Sequence, residues 1–165
     1  VTSEFFVSTV RKASALAGIL SAAMIGVSIL VVCELVFVRY FLDAPTTWQT
    51  ELVTYLLVGA TLIGSPYVLM IRGHVSVDLL PHYLSPKARE WLSLAGAVAG
   101  MFFCTVLLVS GLELWYDAWT GGWLSETVWS VPLWIPYSAL PIGFGLMLLQ
   151  YLADVLQARK GRETT

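Results

Sequence analysis

Residues 39–79 read RYFLDAPTTWQTELVTYLLVGATLIGSPYVLMIRGHVSVDL, and the pattern of this stretch decides the fold. Polar and cationic groups (Arg39, Trp48 and Glu51 at the start, Arg72, Gly73, His74 and Asp78 at the finish) bracket an apolar run. The run has about 20 residues, the length that crosses a bilayer core at 1.5 Å rise per residue. Thr46 and Gln49 have capping-box spacing, which predicts a helix from near Thr46 through Ile71. Gly73 after Arg72 predicts its stop, since glycine takes the left-handed conformation at C′ and a cation suits the last turn.

Outward from this stretch the composition is of one kind. The chain is 58% hydrophobic and 12% charged, whereas a soluble domain carries about a quarter charged residues. This is an integral membrane protein, and in that class the placement of charge is more informative than the net value of −2. Cys33 and Cys104 both lie in apolar runs with no nearby partner, so neither a redox pair nor a zinc site is expected.

Four apolar spans are expected, at 13–38, 51–71, 91–116 and 132–155, forming a single membrane domain over 1–165. The first follows Arg11-Lys12 and is far longer than the roughly 7–15 apolar residues of a secretory signal core, so it is expected to be retained. Ser85-Pro86 reads as an N-cap with proline at N1, and Pro132 opens the fourth helix. Arg11, Lys12, Arg72, Lys87, Arg89, Arg159, Lys160 and Arg162 share one side of this topology, leaving Arg39 for the other. By the positive-inside rule both termini are then cytoplasmic.

On the opposite side Trp115, Trp119, Trp123, Trp129 and Trp134 cluster with Tyr116 and Tyr137 around the third connection. Indoles favour the headgroup level, so the loop is expected to lie along the membrane surface; the competing reading is a docking surface for a partner protein. Glu34 is read as the one carboxylate within a span, about one turn from its outer end, with a paired structural role or an ion path as alternatives. Arg39, five residues away, is expected to answer Glu51, Asp43 or a lipid phosphate. The interior is otherwise expected to be apolar.

Chemistry-bearing constellations are scarce. His74 and Asp78 are four apart and His82 is on the same connection, which supplies neither a zinc site nor a haem pair across helices. There is no nucleophile–base motif, phosphate-binding glycine loop or redox motif, so no catalytic, substrate-binding or metal residues, no cofactor and no nucleic-acid partner are expected, and an enzyme is not. Gly96 and Gly100 form a GxxxG, and Gly18, Ala22 and Gly26 share four-residue spacing, both patterns that permit close helix approach. Pro66, Pro136 and Pro141 favour static bends.

In order, Arg39-Tyr40, Pro45, Trp48, Glu51-Leu52, Tyr55-Leu56, Gly64, Gly73-His74-Val75, Val77-Asp78 and Leu80, with Pro136-Tyr137 and Pro141-Ile142-Gly143, closely resemble the small membrane subunit of tripartite ATP-independent periplasmic (TRAP) transporters. The motif residues cover about a quarter of the chain and the four-span topology nearly all of it. The resemblance implies a scaffold subunit in the bacterial inner membrane, paired with a large membrane subunit that carries the substrate and sodium sites. It also implies a periplasmic binding protein that delivers an organic acid. In that frame Arg39, Tyr40, Trp48 and Glu51 are expected to fix the outer end of the first hairpin, and Gly73, His74 and Asp78 the inner connection. Membrane lipid is the remaining expected partner. Two other readings stay open: a self-sufficient homo-oligomeric transporter or channel using Glu34, and a structural membrane protein outside transport.

Overall fold

A computed structural model describes the backbone of residues 2–71 and 86–163, with side chains over 4–71 and 95–156. The described elements are α1 (Thr2–Phe41), α2 (Trp48–Met70), α3 (Pro86–Thr120), α4 (Trp134–Tyr137) and α5 (Ala139–Glu163). Four stretches of these helices are long and apolar enough to cross a membrane: Glu4–Phe41, Trp48–Met70, Ala95–Thr120 and Trp134–Leu156. The chain is therefore an all-α, four-span membrane protein. Gly73, His74 and Asp78, with Arg72 and His82, lie outside the described residues.

α5 is the hub. It packs against α1, α2 and α3, while α1 and α2 form an antiparallel pair along their length. On α1 the less exposed positions fall at Val10, Ser14, Ala17, Ser21, Met24, Ser28, Val31, Leu35 and Val38. The steps alternate four and three, a heptad seam that keeps one stripe facing its neighbours under a slight left-handed supercoil. α3 repeats the rule with Ala97, Met101, Cys104, Leu108, Gly111, Trp115 and Ala118, turned toward α5 and α4. Outside these seams large apolar side chains stand exposed, among them Ile19, Leu30, Phe102 and Phe103, as lipid contact permits.

Small residues set how closely the seams approach. A Cβ on Gly18 would lie 2.5 Å from the Tyr67 ring, and one on Gly100 would lie 2.6 Å from the Tyr151 hydroxyl. A Cβ on Gly26 or Gly96 would meet open space. Among the described residues only one end of each expected small-residue motif is therefore used, because the packed faces follow the heptad rather than a strict four-residue step.

Prolines shape two further contacts. α2 continues through Pro66, which has no N–H to offer the Leu62 carbonyl four residues earlier. Gly143 of α5 is packed onto that carbonyl so closely that a Cβ there would stand 2.5 Å from Leu62 O. Between Pro136 and Pro141 the fourth span is interrupted at Ser138, whose N–H reaches Trp134 O at 3.1 Å and Ile135 O at 3.2 Å. α4 and α5 are thus successive pieces of one crossing. The expected capping box at Thr46 and Gln49 does not form: α2 begins at Trp48, its N-cap Thr47 makes no side-chain cap, and Gln49 is turned toward α1.

Candidate functional site

Polar groups gather where α2 begins, beside the C-terminal end of α1. Trp48, Gln49, Glu51 and Tyr55 occupy its first two turns, and the connection from α3 folds back over them. That connection starts at a glycine stop: Gly122 has φ +59° and Trp123 N–H reaches back to Ala118 O at 3.1 Å, the six-to-one bond of a Schellman cap. It then forms a bridged hairpin, with Leu124 opposite Pro132, Ser125 N–H on Val131 O at 2.9 Å and Leu133 N–H on Trp123 O at 2.9 Å. Ser130, at φ +49°, completes the turn from Thr127.

Glu51 pins this hairpin. It is 9% exposed and accepts hydrogen bonds from the Tyr55 hydroxyl at 2.6 Å and from the Thr127 hydroxyl, which is itself 3.0 Å from Ser125 Oγ. Two hydroxyl donors satisfy the carboxylate without a cation, since an ionised acid is an acceptor on both oxygens. Arg39 is exposed at the end of α1 and, among the described residues, makes no ion pair; Glu51 is answered by hydroxyls instead. Tyr40 is 81% exposed beside it and packs edge-on to Phe41. An open cleft of ≈ 980 Å³ runs between the start of α2 and the hairpin, lined by Thr50, Glu51, Thr54, Tyr55 and residues 121–127.

The aromatic residues divide into groups. Trp115, Trp119 and Trp134 stack in series, with ring centroids 5.7 and 4.7 Å apart. Trp129 at the hairpin tip meets Trp48 at 6.1 Å, tying the loop to α2 a second time. Trp123 lies against Gly121, where a Cβ would be 2.5 Å from the indole nitrogen.

Glu34 is exposed on α1, and its carboxylate receives a long 3.5 Å contact from the Gln49 amide. It is not the one carboxylate within a span: Glu51, Glu113, Asp117 and Asp154 also fall inside the membrane-length stretches. Glu51, Glu113 and Asp154 already lie inside the spans expected at 51–71, 91–116 and 132–155, and α3 runs past its apolar core to take in Asp117 as well. The interior is not wholly apolar either. Ser14 Oγ donates to Gln150 Oε1 at 2.9 Å, both residues being fully buried, and Gln150 Nε2 donates to Asp154 Oδ1 at 3.0 Å. This clip joins the N-terminal part of α1 to the C-terminal part of α5, with each polar group partnered by another.

The clip and Thr127 are the residues that sequence reasoning misses. Gln150 and Asp154 are four apart in an otherwise apolar run, and that spacing is the signal that could have flagged them. Nothing near Thr127 marks it as a partner of Glu51, 76 residues away. Among the described residues no three His, Cys, Asp or Glu side chains converge as a metal site.

Comparison with known proteins gives concordant results. Residues 28–161 match the family described as tripartite ATP-independent periplasmic transporters, DctQ component. One similar protein is the C4-dicarboxylate TRAP transporter small permease protein DctQ of Vibrio cholerae, 23% identical over 164 residues, covering 87% of this chain and 71% of that protein. Another is the protein of the same name from Rhodobacter capsulatus, 28% identical over 105 residues, covering 64% of this chain and 46% of that protein. No solved structure matches the chain.

Proposed function

Because the chain belongs to the DctQ component family of tripartite ATP-independent periplasmic transporters, we propose that it serves as the small scaffold subunit of a secondary transporter that imports an organic acid with sodium. It pairs with a large membrane subunit that carries the substrate and sodium sites, and a periplasmic binding protein delivers the solute. Its place is the bacterial inner membrane, with both termini on the cytoplasmic side, as the distribution of Lys and Arg directs. Its contribution is mechanical rather than enzymatic.

The observation that carries this reading is how the polar groups between the helices are used. The Ser14–Gln150–Asp154 clip and the Ser21 hydroxyl, which donates to Ala60 O at 2.7 Å, are engaged with the chain's own groups. A transport site instead keeps polar groups free for ion or solute near the midplane, commonly on broken helices. At the outer end Glu51, Tyr55 and Thr127 hold the hairpin over α2, and Arg39 and Tyr40 stand free for lipid headgroups or the delivering protein. At the inner end Gly73, His74 and Asp78 are assigned to holding the connection into α3.

The test is affinity purification of the chain from its native membrane in mild detergent, with identification of what comes with it. A large polytopic subunit in stoichiometric amount is the expected result. A chain that purifies alone and conducts ions in vesicles, with flux lost in Glu34→Gln, would overturn the scaffold reading.

A further inference from the structure

We propose that the face of α3 carrying Ser110, Glu113 and Asp117 is covered in the native membrane by a transmembrane helix of a partner subunit, and that this helix sets a Lys or Arg side chain against Glu113. The inference rests on the reading above, that the chain works beside a second membrane subunit, and assigns the surface and the chemistry of contact.

The starting point is an inequality among the carboxylates in the spans. Glu34 meets the Gln49 amide, Glu51 takes two hydroxyls, and Asp154 takes the Gln150 amide. The carboxylates of Glu113 and Asp117 are exposed and, among the described residues, have no hydrogen-bonding or ionic partner. Their direction follows from the heptad seam. Glu113 is two residues from both Gly111 and Trp115, which face inward, and so stands about 200° around the helix from each at 3.6 residues per turn. It points away from α5.

Its depth follows from the packing pairs. Gly100 faces Tyr151, the neighbour of Gln150, and Gln150 binds Ser14, two residues from Lys12. The Gly100 level is therefore close to that of Arg11 and Lys12. Glu113 lies about 20 Å further along α3 and about 10 Å short of Thr120, at 1.5 Å per residue. Both distances place it within a hydrocarbon core about 30 Å thick. Ionisable groups at such a level face protein or water and pair with one another, because hydrocarbon offers them no solvation.

The sign of the charge selects the occupant. An acid facing out of the bundle calls for a cation, and the chain's own Arg11 and Lys12 are about 20 Å away by the same helical rise. Arg39 sits on α1, whose packing partners are α2 and α5. The remainder of the face is apolar, with Val106 and Val109 about half exposed at 47% and 51%, which suits a neighbouring helix.

The experiment uses the full chain in its native membrane. A benzophenone amino acid is placed at Val109, and Glu113→Gln and Glu113→Lys are prepared beside Ile29→Ala on the exposed face of α1. The expected result is a light-dependent cross-link from position 109 to a second membrane protein. Its recovery falls by on the order of tenfold or more in Glu113→Gln, as for loss of one member of a desolvated charge pair. It falls further in Glu113→Lys and is unchanged in Ile29→Ala, and a Glu in place of the partner's cation rescues Glu113→Lys.

If the wild-type chain brings down a second membrane subunit while position 109 labels only lipid and Glu113→Lys retains that subunit, the contact is overturned and the scaffold reading survives. If the wild-type chain brings down no membrane subunit, both fall. Because Glu113 is exposed, the isolated chain should accumulate normally as Glu113→Gln; loss of the chain itself in that variant, without a cross-link at 109, also counts against the contact.

Discussion

α1 and α3 are built to the same rule and finished differently. Each is a long apolar helix with one heptad seam turned inward, from Val10 to Val38 in α1 and from Ala97 to Ala118 in α3. The seam of α1 is closed by two neighbours, α2 and α5, and of its polar members Ser14 and Ser21 are bonded across it while Ser28 turns back to Met24 O of its own helix. The seam of α3 is closed by the crossing that α4 and α5 make, and the outward side of α3 carries acids that nothing in the described chain answers. An exposed helix face is uninformative in a membrane protein when it is apolar, since lipid is a sufficient neighbour; a carboxylate on that face is what distinguishes a surface built for another protein.

The contrast makes predictions that can break it. Gly143→Ala should be the most damaging single change, because the new Cβ meets the Leu62 carbonyl, a backbone atom that cannot swing aside. A loss of roughly 1–3 kcal/mol in detergent unfolding is expected, the cost of overpacking a tight seam. Gln150→Leu should follow, at about 1–2 kcal/mol, since Ser14 is left buried without its acceptor. An unchanged unfolding midpoint would show that α1 and α5 are held by shape alone.

Glu51→Gln tests the tie between α2 and the hairpin. It should cost about 1 kcal/mol, because the amide presents one acceptor oxygen where the carboxylate presents two. Faster amide exchange at Ser125 and Leu133 and a lower yield of assembled complex are the expected readouts; unchanged exchange and yield would remove Glu51 from the candidate site. Gly96→Ala should have the smallest effect and the opposite sign. Its Cβ enters open space, so a gain of up to about 0.5–1 kcal/mol from helix propensity is expected. Gly100→Ala, one turn away and facing Tyr151, should instead destabilise, and equal effects at the two glycines would break the seam assignment for α3.

How much of this was legible beforehand depended on the kind of signal. The four spans follow from hydropathy over tens of residues, and the start of α3 at Pro86 from the fixed φ of proline at N1. Gly96 and Gly100 are identical as letters, and only the rotation of α3 against α5 separates the packed one from the open one. Arg39 and Glu51 look like a pair because their charges are opposite, yet a threonine from a distant loop reaches the acid. Short-range spacing encodes helix and cap; which polar group closes on which is set by tertiary approach, to which local pattern is blind.

The length of α1 carries a consequence for how the molecule sits. Forty residues make a rod of about 60 Å at 1.5 Å per residue, twice the thickness of the oily layer, so much of it must stand clear of the acyl chains or lean steeply. α2, at 23 residues, is about 35 Å long and nearly matches that layer. Vertical position is therefore governed by α2, and α1 behaves as a mast that tolerates thicker or thinner bilayers by changing how far it protrudes.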